Sequence, residues 1–106
     1  MKIVVADKIS EAGMELLHAT GWRVAQPAAP DLAAELAEAE ALIVRSATRV
    51  TAELLERATR LRVVGRAGVG VDNIDLDAAT MRGVLVMNTP GSSAVSVAEH
   101  TVALLL

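Results

Sequence analysis

Leu61-Arg62-Val63-Val64-Gly65-Arg66-Ala67-Gly68-Val69-Gly70 runs a short aliphatic stretch straight into a glycine-rich turn. A β-branched run of this length reads as a strand buried on both faces, the habit of parallel sheets. The same pattern recurs outward along the chain. Ile3-Val4-Val5-Ala6 ends at Asp7, and Trp22-Arg23-Val24-Ala25 is a second short run. Ala41-Leu42-Ile43-Val44 delivers Arg45 and Ser46, and Val84-Leu85-Val86-Met87 stops at Asn88-Thr89-Pro90.

Helical stretches fill the gaps. Ser10 caps a helix over 11–20 that Gly21 ends, and the Ala- and Glu-rich segment 31–40 follows Pro27 and Pro30. Thr51 caps a helix over 52–59, Asp75 starts one ended by Gly83, and Ser96 with Glu99 forms a capping box for the last. Five strands alternating with helices give an α/β fold with right-handed crossovers. Ligands of such sheets sit beyond the carboxyl ends of the strands. Asp7, Arg45-Ser46, residues 66–70 and Asn88-Thr89 are therefore the positions to inspect.

The chain has 106 residues, enough for one domain, and 53% of them are hydrophobic. It contains no cysteine, which removes disulfides, thiolate zinc sites and cysteine nucleophiles together. A net charge of −3 argues against a nucleic-acid partner, and Trp22 is the only ring available for base stacking. The N-terminus enters a strand at once, so neither a signal peptide nor a membrane span is expected, and a cytoplasmic location is the default. The final apolar run, residues 102–106, has no stop signal behind it and reads as the cut end of a longer protein.

At the strand ends, Arg45 and Arg66 offer planar forks suited to carboxylate or phosphate, and Ser46 adds a hydroxyl donor. Either arginine also has a bland alternative, pairing with Asp72 or Asp75. The turn at Gly68 and Gly70 lets backbone N–H groups approach a small anion. A dinucleotide fingerprint is a poorer reading, because Asn73 stands at the third glycine position and the turn follows the fourth strand. Asn88 offers one donor and one acceptor to the same edge. His18 and His100 lie in helices, and no nucleophile has an adjacent base, so no catalytic residue is assigned.

Three stretches together resemble the D-specific 2-hydroxyacid dehydrogenases: residues 42–51, with Arg45-Ser46-Ala47-Thr48; residues 63–75, with the glycine turn; and residues 84–90, with Asn88-Thr89-Pro90. The resemblance implies a flavodoxin-like sheet of order 2-1-3-4-5 with helices on both faces. It implies residues 1–92 as a substrate-binding domain and 93–106 as the start of the helix opening a Rossmann NAD-binding domain. Arg45, Ser46, Arg66, Ala67, Gly68, Gly70 and Asn88 would then bind a small anionic substrate, and Val69 would approach the nicotinamide. Relatives often carry Thr at this last position. The implied reaction is NAD-dependent oxidation of a phosphorylated hydroxy acid, 3-phospho-D-glycerate, feeding serine biosynthesis, in a homo-oligomer formed through the last helix. The family's catalytic Arg, Glu and His would lie beyond residue 106, so this chain is expected to be inactive alone. A glycerate or hydroxypyruvate reductase and a self-association module are the alternatives. A phosphoacceptor domain of the same fold is excluded, since it needs Asp after the third strand and Lys after the fifth, where Arg45 and Asn88 stand.

Overall fold

The computed structural model describes residues 1–68, 70–89 and 94–106, the side chain of Ala94 excepted. Its strands are β1 (Lys2–Val5), β2 (Arg23–Ala25), β3 (Ala41–Val44), β4 (Val63–Arg66) and β5 (Leu85–Asn88). They form one parallel sheet, as the alternating pattern predicts, in the order β2-β1-β3-β4-β5 that the family resemblance implies. Every residue of β1, β3 and β4 is buried, which is why these strands are apolar apart from Lys2 and Arg66 at their ends rather than alternating.

Helices α1 (Glu11–His18), α2 (Leu32–Leu36), α3 (Ala52–Arg57), α4 (Leu76–Met81) and α5 (Ala94–Leu105) cover both faces. On one face Leu36, Leu55 and Ala79, from α2, α3 and α4, pack against Val4, Leu42, Val44 and Val64. On the other, Leu17 of α1 and Val97, Ala98 and Leu105 of α5 pack against Ile3, Val5, Ile43 and Val63. The side-chain period of two sends alternate strand residues to these two cores.

Several boundaries differ from the sequence reading. The segment 31–40 is helical only over α2, with a 3-10 turn at Ala29–Asp31 before it. The chain leaves the helix because Glu40 is claimed by the sheet. Its carboxylate accepts from the Lys2 N–H at 2.6 Å, and its backbone bonds both Lys2 and Arg62. Strands β4 and β5 lie further along the chain than expected, so Arg66 and Asn88 are themselves the last strand residues. Helix α5 begins at Ala94, which places Ser96 and Glu99 inside the helix rather than at a cap.

The end of α5 is satisfied by tertiary structure. Arg62 donates from Nη1 to the Leu105 carbonyl and from Nη2 to the Leu104 carbonyl, both at 3.4 Å. A guanidinium at a helix C-terminus meets carbonyls that have no intrahelical donor. The apolar end read from sequence is thus partly covered: Leu105 is buried on the chain's own sheet, while Leu104 and Leu106 stay exposed. Among the described residues no helix is long and apolar enough to cross a membrane.

Candidate functional site

Parallel register brings three strand ends side by side. Val44 aligns with Arg66, and Arg66 with Asn88, so Arg45, Ala67 and Thr89 follow on neighbouring strands at one edge. Arg45 and Ser46 are exposed there, and Asn88 is exposed beside them. The edge therefore collects the donors that the sequence singled out.

Arg66 is buried, and its guanidinium serves two directions. Nη1 donates to Asp72 Oδ1 at 2.7 Å, the bland pairing considered from sequence. Nε is also buried, yet it has no partner among the described residues. A buried donor without an acceptor is costly, and a ligand oxygen at that position would satisfy it. Gly70 arches over the ion pair with φ +86°, and a Cβ there would lie 3.6 Å from Arg66 Nη1. That backbone region disfavours any side chain, so glycine is needed to close the turn so tightly.

The turn offers fewer free amides than expected. Ala67 N–H donates to the Val44 carbonyl at 2.9 Å, and Gly68 N–H to the Arg66 carbonyl at 3.1 Å. Among the described residues, Gly70 N–H finds no acceptor. Val69, the expected nicotinamide contact, lies outside the described residues, as do Pro90 and residues 91–93.

The 45–48 loop is held by two residues whose part was not read from sequence. Asp7, leaving β1, accepts from the Arg45 and Thr48 N–H groups, and Asn73 donates to the Arg45 and Thr48 carbonyls. In the sequence Asp7 stands out only by its place at a strand end, and Asn73 only as the residue at a third glycine position. Two open clefts flank this loop: one of 360 Å³ between Asp7, Thr48, Pro27 and Leu32, another of 390 Å³ by Asp72 and Glu53, with Arg49 on both.

The described residues hold no group of three acidic, His or Cys side chains that would suit a metal ion. His18 and His100 are exposed on α1 and α5.

The Arg66 guanidinium hydrogen-bonded to Asp72 holds its carboxyl below the ordinary value of 3.8. A lowered folded-state pKa contributes stability that is complete above the ordinary value and lost as pH falls through the lowered one. Asp72 is 91% exposed, so the effect is small. In acid titrations followed by circular dichroism, Asp72→Asn should unfold more readily than the parent at neutral pH, and the gap should close below the ordinary carboxylate range.

Residues 3–103 match the family model of the D-isomer specific 2-hydroxyacid dehydrogenase catalytic domain. The chain belongs to that family. It is 45% identical over 109 aligned positions to D-3-phosphoglycerate dehydrogenase of Archaeoglobus fulgidus, covering 100% of this chain and 21% of that protein. It is 51% identical over 107 positions to the chloroplastic D-3-phosphoglycerate dehydrogenase 2 of Arabidopsis thaliana, covering 98% and 17%. The crystal structure of NAD+-bound 3-phosphoglycerate dehydrogenase from Entamoeba histolytica superposes with a TM-score of 0.75 at 30% identity, covering 86% of this chain and 33% of that one. The chain thus spans about a fifth of the length of the curated relatives it matches.

Proposed function

We propose that this chain is the substrate-binding part of an NAD-dependent dehydrogenase that oxidises 3-phospho-D-glycerate to 3-phosphohydroxypyruvate. The observation that carries the proposal is the meeting of Arg45 and Arg66 at adjacent strand ends, with a buried Arg66 Nε left to bond. A substrate with a phosphate and a carboxylate needs two separated cationic or amide sites. Arg45 with Ser46 receives one anionic end. Arg66 and the Gly70 N–H receive the other, with Ala67 and Gly68 shaping the turn and Asn88 facing the cleft. The names of the relatives, D-3-phosphoglycerate dehydrogenases, support this choice of substrate.

NAD, when bound, accepts the hydride. The turn in this chain does not suit its pyrophosphate, because residues 71–75 separate Gly70 from α4 and the Asp72 carboxylate stands in that space. The chain's own task is to fix the hydroxy acid. We assign Val69 the approach to the nicotinamide, residues 1–92 the substrate domain and 93–106 the opening of the NAD-binding domain. Exposed Leu104 and Leu106 on and beyond α5 support a homo-oligomer through this helix, in a cytoplasmic enzyme.

The test is an NMR titration of the chain with 3-phospho-D-glycerate and, separately, with D-glycerate. The phosphorylated acid should bind at least tenfold more tightly, since one charge-assisted contact contributes about 1.5–3 kcal/mol. Equal binding of the two would shift the reading to a glycerate or hydroxypyruvate reductase.

A further inference from the structure

The loop from Arg45 to Thr48 carries the donors Arg45 and Ser46, and loops hold such groups poorly unless something outside them fixes the backbone. Here both terminal residues of the loop are fixed through all four backbone polar groups. Asp7 Oδ2 accepts from Arg45 N–H at 2.7 Å and from Thr48 N–H at 3.1 Å, while Oδ1 accepts from Thr48 Oγ1 at 2.7 Å. From the opposite side Asn73 Nδ2 donates to the Arg45 carbonyl at 2.7 Å and to the Thr48 carbonyl at 2.6 Å. Asn73 belongs to the segment that follows the glycine turn, and its own carbonyl accepts from Val50 N–H at 2.9 Å. Asp7 lies just beyond the end of β1.

We propose that Asp7 and Asn73 are positioning residues that lock the 45–48 loop to the glycine turn, presetting Arg45 and Ser46 to receive the anionic end of the substrate. The inference rests on the proposed substrate role of that edge. Charge alone does not account for Asp7. A carboxylate beside Arg45 lowers the positive potential that an anion needs. Its three accepted bonds do account for it, because ordering the loop before binding spares the ligand that entropy cost. Asn73 completes the device from the other side without adding charge. The two arms of the site, the β3 end and the turn after β4, therefore move as one body.

The test compares 3-phospho-D-glycerate affinity of the 106-residue chain and its variants by NMR titration. Asp7→Ala should bind about tenfold more weakly, while Asp7→Asn should stay within about threefold of the parent. The asparagine oxygen still accepts from both backbone amides, and its NH2 still meets Thr48 Oγ1. Asn73→Ala should weaken binding as Asp7→Ala does, and it carries the test if Asp7→Ala does not fold. Binding by a folded Asp7→Ala as tight as the parent, or tighter as charge alone requires, overturns the inference. So does equal weakening of Asp7→Ala and Asp7→Asn, or unchanged binding by Asn73→Ala if Asp7→Ala does not fold. Failure of the parent chain to bind at all would instead bring down the substrate role itself, and this device with it.

Discussion

Replacing Gly65 with alanine should destabilise the chain by about 1–3 kcal/mol, the usual cost of overpacking a filled core. The position lies within β4, where α5 packs closely on the sheet. A Cβ there would sit 2.9 Å from Val97 Cγ1, with Met87 Cε and Thr101 Oγ1 each at 3.2 Å. Val97 and Thr101 are fully buried on α5, so neither side chain can swing into solvent. The backbone at Gly65 is ordinary strand, and alanine would normally be the better residue in a strand interior. Any loss therefore measures the contact with α5 and with Met87 of β5. For a domain of this size, about 2 kcal/mol corresponds to roughly 10 °C in Tm. Thermal unfolding that leaves Tm unchanged or raised would mean that α5 does not seat where β4 places it.

Arg66→Ala should reduce affinity for 3-phospho-D-glycerate at least tenfold, because a charge-assisted hydrogen bond to a buried guanidinium contributes about 1.5–3 kcal/mol. The ion pair contributes little to the stability cost, because Asp72 is 91% exposed and returns to water when its partner is removed. The cost comes instead from the lost packing of the Arg66 side chain, only 11% exposed, and thermal unfolding reads it separately from binding. Arg66→Lys separates charge from fork geometry. Lysine keeps the cation but loses the planar donor set that reaches Asp72 and the ligand together. It should bind nearly as poorly as Arg66→Ala, and full recovery by lysine would reduce Arg66 to a diffuse positive charge.

The sheet was legible because buried parallel strands leave a strong mark: Ile3-Val4-Val5-Ala6 and Leu42-Ile43-Val44 are apolar at every position, and a charged residue, Asp7 or Arg45, ends each run. The order of the strands came from family resemblance, since periodicity fixes strands but not their neighbours. What escaped was whatever depends on residues distant in sequence. The early end of α2 is set by Glu40 meeting Lys2 and Arg62, and no local propensity in an Ala-Glu segment records that. The α5 terminus is capped by Arg62, more than forty positions upstream. At the site, Arg45, Ser46 and Arg66 were readable from strand-end position and side-chain chemistry. Asn73 was not, because a carboxamide in a turn has many local uses, and its bonds to Arg45 and Thr48 exist only once β3 and β4 are adjacent.

The substrate role of the β3–β4 edge is tested by a 3-phospho-D-glycerate titration of the unmodified chain, followed amide by amide. Binding at the β3–β4 edge should move the signals of Arg45, Ser46, Gly68 and Gly70 and the Arg66 Nε–H, with those of α4 and the far strand ends unmoved. Shifts gathered instead around Pro27 and Leu32, in the cleft on the other side of the loop, or no shifts at millimolar ligand, would contradict it.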